Sequence, residues 1–94
     1  MLEEVKTALR ITATRYDEEI NGLIAACRLD LGLAGVGRIE EEDALIKRAI
    51  ILYCKANFGY DNPDSEKLQR SYDLLKCSLS IAGDYADPTK KAGR

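Results

Sequence analysis

The sequence predicts an all-α fold: a short N-terminal helix plus three longer antiparallel helices in a small bundle, followed by a flexible C-terminal tail. Three observations predict it. Apolar residues recur at three- and four-residue steps along most of the chain, the spacing of one helix face. Prolines number two and β-branched runs are few. The polar stretches between the long helices are about seven residues, a length that suits antiparallel neighbours. Ninety-four residues make one domain. We place it at 1–83, with residues 84–94 as the basic tail.

The first helix spans about 2–10, where Leu2, Val5 and Leu9 form one stripe. Glu3 and Glu4 lie in its first turn, where the helix dipole favours acids. It is too short to stand alone and must pack on something. Thr12-Ala13-Thr14 breaks it, and Thr14 with Asp17 reads as a capping arrangement, with Asp17 as the other candidate N-cap. The second helix runs to about residue 32 on Ile20, Leu23, Ile24, Cys27 and Leu31. Gly22 weakens it by about 1 kcal/mol against alanine.

Residues 32–39 (GLAGVGRI) form a glycine-rich loop that stops this helix. It is no phosphate loop, because neither the lysine nor the hydroxyl of that motif follows Gly37. Glu40, Glu41, Glu42 and Asp43 then open the third helix, about 42–57. Consecutive acids fan around a helix instead of converging on a metal, so they read as a dipole-stabilised, solvated start.

The third helix carries Leu45, Ala49, Leu52, Tyr53 and Ala56 on one stripe and Ile46 and Ile50 on a second, with Ile51 and Cys54 widening the arc. A helix apolar around most of its girth is central, or is covered by other chains. We expect its surplus apolar surface to be buried in part by copies of the same chain. Gly59 ends it. Asn62-Pro63 predicts an N-cap and first helical residue for a fourth helix over 63–82. Its inner stripe is Leu68, Tyr72, Leu75, Leu79 and Ala82, with Leu74, Ser78 and Ile81 beside it. Gly83 stops it, and no apolar period follows.

The core is thin: a chain of this mass buries roughly 64% of its extended surface. The chain has no tryptophan and one phenylalanine, so aliphatic residues fill the core. It has no histidine, which removes imidazole bases and ligands, and no serine lies in a nucleophile elbow. We find no catalytic, metal or cofactor constellation and expect no enzyme activity. Cys27, Cys54 and Cys77 lack a CxxC pair, fall within apolar helical patterns and read as buried small hydrophobes of a reducing compartment. MLEEVK is no signal peptide, and no segment is apolar enough to span a membrane.

Net charge is −2 and the pI is near 5.1. Residues 87–94 carry Lys90, Lys91 and Arg94 against Asp87, a net of +2 that leaves −4 on the rest. Such a tail is either a solvated terminus or an arm for an acidic partner. The candidate partner-binding residues are Asp84, Tyr85, Lys90, Lys91 and Arg94.

The segments LEEVKTALRI, DEEINGLIAACRLDL and DALIKRAIILYCKANFGYDNPDSEKLQRSYDLLKCSLSI, with the run LQRSYDLLK in the last, resemble small head–tail connector proteins of tailed phages and prophages. The likeness covers residues 2–82 and rests on apolar and turn patterns, so it marks no single functional residue. It implies a helical subunit of a ring, typically a dodecamer, beneath the portal protein. The ring would extend the channel through which double-stranded DNA passes without sequence-specific binding. It would also dock a head-completion, stopper or tail protein. Such a subunit is made in the host cytoplasm and resides in the virion at the head–tail interface. The alternatives are a small helical DNA-binding regulator and a helical interaction module that forms no ring. An apolar third helix leaves no face of Arg, Asn and Gln for base reading, which counts against the regulator.

Overall fold

The computed structural model describes residues 1–59 and 62–87. Helix α1 covers Leu2–Leu9, a single 3₁₀ turn covers Thr14–Tyr16, and α2, α3 and α4 cover Asp17–Leu33, Ala44–Asn57 and Ser65–Ile81. The predicted all-α architecture is present, and the described residues contain no strand beyond one isolated bridge. Helices α2 and α3 are antiparallel: Tyr16 stacks edge-on against Phe58 at one end (5.5 Å), and Arg28 pairs with Glu41 at the other (3.0 Å). α4 returns antiparallel to α3 and therefore runs in the same direction as α2.

The core is the meeting of these faces. Ile20, Ile24, Cys27 and Leu31 of α2 pack with Ile46, Ala49, Ile50, Leu52 and Cys54 of α3, with Tyr72 and Leu79 of α4 and with Val5 of α1. Tyr53 meets Tyr72 edge-on at 5.2 Å. The expectation that α3 would need copies of the chain for cover is corrected. Its apolar arc is enclosed by α1, α2 and α4, and Leu45 is its one large apolar residue counted as exposed. The short α1 supplies the missing cover.

α1 does so with a charged anchor. Lys6 is 5% exposed, and its Nζ lies 2.7 Å from Asp17 Oδ1. The helix ends in a Schellman turn, with Arg10 N–H bonded to Thr7 O and Ile11 N–H to Lys6 O, and Arg10 at φ 63°. Asp17 is therefore the partner of Lys6, and neither it nor Thr14 caps α2, whose N-cap Tyr16 makes no side-chain bond.

Two further helix starts shift. α3 begins at Ala44, because Asp43 is the residue that caps it, accepting from Leu45 N (2.9 Å) and Ile46 N (3.4 Å). Glu40, Glu41 and Glu42 precede the helix. α4 begins at Ser65, not at Pro63. The Asn62 side chain accepts from Asp64 N (3.0 Å) and donates to Lys55 O (2.6 Å), so Asn62–Asp64 form a turn pinned to the end of α3. Ser65 Oγ adds a bond to Ala56 O at 2.7 Å.

The tail boundary also moves. Residues 84–87 dock on the α2–α3 loop: Val36 and Ala86 form an antiparallel bridge, Gly37 N–H bonds Tyr85 O (2.7 Å), and Asp87 N–H bonds Gly35 O (2.7 Å). A Cβ on Gly37 would stand 3.0 Å from Asp87 Cα, so glycine admits this approach. Periodicity could not reveal the docking, since the attachment is through backbone groups and the single side chain of Tyr85. Lys90, Lys91 and Arg94 lie outside the described residues.

Candidate functional site

The described residues hold two buried thiols and one exposed one. No group of three or more potential metal ligands assembles. Cys27 and Cys54 are buried, and burial pushes their thiols up to about 11 and about 12. Such thiols stay protonated and unreactive at neutral pH. Cys77 is the exception to the predicted burial: it is exposed on α4.

One polar network crosses the bundle. The Tyr72 hydroxyl donates to Asp30 Oδ2 (2.6 Å), Lys76 Nζ donates to the same oxygen (2.9 Å), and Cys27 Sγ donates to the Tyr72 oxygen (3.7 Å). Burial pushes Asp30 up, but Tyr72 and Lys76 outweigh it and hold the carboxyl below its usual 3.8. Burial and the bond to Asp30 push Tyr72 far above its usual range. With every member partnered, this network fixes α4 against α2.

Four large apolar side chains lie on the outer surface of α2 and α4. Leu29 and Leu33 on α2 are 70% and 80% exposed, and Leu74 and Ile81 on α4 are 66% and 77% exposed. Leu74 and Ile81 were expected beside the inner stripe. They sit two residues beyond Tyr72 and Leu79, which is about 200° around the helix, so they point away from the core. The same arithmetic exposes Leu29 and Leu33, which stand off the stripe of Ile20, Ile24, Cys27 and Leu31. The sequence contained that signal, and the α2 pair was missed.

The predicted partner residues divide. Asp84 is exposed, whereas Tyr85 is half-buried and donates its hydroxyl to the Asp43 carboxylate. Arg38 lies 5.9 Å over the Tyr85 ring and pairs with Glu40 at 3.1 Å. The bond to Tyr85 lowers Asp43 and raises Tyr85 from their ordinary values. Tyr85 thus serves the fold in the isolated chain. No helix of the described residues is long and apolar enough to cross a membrane.

A family model described as phage connector protein matches residues 1–86, which takes in all four helices and the docked segment through Ala86. No curated protein and no solved structure matches the chain.

Proposed function

This chain belongs to the phage connector protein family, and from that premise we propose that it is a structural subunit of the phage head–tail connector that assembles as a ring, of twelve copies, beneath the portal protein. The observation that carries the ring is the pair of exposed apolar faces on α2 and α4. The core is already closed by α1, so these leucines and isoleucine do not serve the monomer, and large apolar side chains grouped on outer faces mark protein contacts.

The ring extends the DNA channel and offers a surface to a head-completion, stopper or tail protein. A net charge of −2 supports passage of double-stranded DNA, since a basic lining would grip phosphates and oppose sliding. The basic residues Lys90, Lys91 and Arg94, with exposed Asp84, serve as the arm that meets the portal protein. The place of action is the virion.

The test is co-expression with a tailed-phage portal protein, followed by affinity capture and electron microscopy. A portal-bound ring is the expected result. No capture by the portal and no ring at high concentration overturns the proposal. A salt-sensitive mobility shift of duplex DNA by the free chain would favour the regulator instead.

A further inference from the structure

We propose that the subunits contact one another by seating the outer face of α4 from one copy on the outer face of α2 from the next, the two helices running parallel. The assignment rests on the ring reading above and names the surfaces that form it.

The two faces are complementary in charge and shape. The outer face of α2 begins with Glu18 and Glu19, continues through Gly22, Ala25 and Ala26, and ends on Leu29 and Leu33. The outer face of α4 begins with Lys67 and Arg70, continues through Leu74 and Cys77, and ends on Ile81. Glu18, Glu19, Lys67 and Arg70 are all exposed, and none of the four has an ion-pair partner among the described residues. Space above Gly22 is open, with nothing within 4 Å of where a Cβ would stand.

The spacing fits as well. Glu18 precedes Leu29 by eleven residues, and Arg70 precedes Ile81 by eleven. One register therefore sets Glu18 against Arg70, Leu74 into the gap over Gly22, Ala25 against Cys77, and Leu29 against Ile81. The antiparallel alternative would set the two acids beside Ile81 and the two cations beside Leu29 and Leu33, leaving four charges unpaired at apolar contacts. Direction agrees with symmetry. Within one subunit α2 and α4 already run the same way, and copies related by a rotation axis along the helices keep that direction. A contact between two different faces is heterologous and propagates from copy to copy, closing when the rotation closes.

The native Cys77 makes the register measurable. The Ala25→Cys variant, at a solvent-exposed position, is oxidised with diamide at high protein concentration and again in the portal complex, then run on a non-reducing gel. The expected result is a ladder of trimers and larger species, since each copy carries both halves of a head-to-tail link. The unsubstituted chain, with Cys77 as its exposed thiol, gives at most dimers. An Ala25→Cys sample that yields no more than the unsubstituted chain overturns the assignment. Light scattering on the same samples separates the two readings: rings without the ladder overturn this contact and leave the connector ring standing, whereas monomers without the ladder count against both. As a second readout, Glu18→Arg weakens self-association about tenfold and adding Arg70→Glu restores it. Additive losses from the two changes would also overturn the pairing.

Discussion

The Tyr85 hydroxyl lies 2.8 and 3.0 Å from the two carboxylate oxygens of Asp43, the residue whose side chain also caps α3. The segment after α4 is thereby fastened to the start of α3. Tyr85→Phe should cost about 1 kcal/mol, one hydrogen bond to a charged acceptor at a partly exposed site. In a domain of this size that is a fall of roughly 4–8 °C in Tm. Truncation after Gly83 should cost more, because it also removes the backbone bonds at Gly35 and Gly37. A flexible tail over 84–94, as its lack of an apolar period predicts, would leave melting nearly unchanged on removal. The docked residues 84–87 reverse that expectation, and thermal melting of the truncated chain checks it.

Lys6 and Asp17 form a second clasp, this one holding α1. Lys6→Met should destabilise by about 2–3 kcal/mol, since it strands Asp17 Oδ1 in a position that water does not reach. Adding Asp17→Leu should recover much of the loss, because the stranded charge goes with it. Urea unfolding of both single variants and the double variant measures the coupling. Equal, additive losses would show that the pair does not act as a unit.

Stability should fall at both ends of the pH scale for different reasons. Asp30 is held below 3.8 in the folded chain, so its contribution is present above that value and is lost as the pH falls through the lowered one. The buried thiols act in the opposite direction. Cys27 and Cys54 are raised from 9.0 to about 11 and about 12, so their contribution is full below 9.0 and drains away as the pH climbs past it. Melting curves across the pH range should show the acid limb flattened by Asp30→Asn and the alkaline limb flattened by Cys54→Ala.

Burial decides the outcome of two isoleucine substitutions. Ile50 is fully buried, and Ile50→Asp should unfold the domain, since an unpaired charge there costs several kcal/mol. Ile81 is 77% exposed, and Ile81→Ser should leave Tm within a degree or two while lowering self-association. Circular dichroism for the first and sedimentation for the second separate the two roles.

The sequence revealed the helices because their apolar periods are long and their stops are glycines. It placed Ile46, Ile50, Tyr72 and Leu79 in the core for the same reason. Helix starts were less legible. Asp43, Asn62 and Ser65 are all capping types, and which carbonyl or N–H each one meets depends on a neighbouring helix. The girth of α3 reads as a surplus from sequence because the covering power of an eight-residue α1, anchored by one buried lysine, has no local signature. Ile81 stands about 200° from Leu79 on α4, so the inner stripe itself implies its exposure, and the packing of Tyr72 and Lys76 on Asp30 fixes that face inward. The docking of residues 84–87 combines backbone bonds, which carry no side-chain code, with one tyrosine that belongs to no apolar period.

The fastening of residues 84–87 also sets how the molecule would bear a load. A pull on the chain beyond Asp87 does not reach α4 first. It is taken up by the backbone bonds at Gly35 and Gly37 and by the Tyr85 hydroxyl, and is handed to the first turn of α3 through Asp43. Tension from a docked neighbour would thus enter at the end of the bundle where the α2–α3 loop lies, and pass from the start of α3 into its best-packed helix.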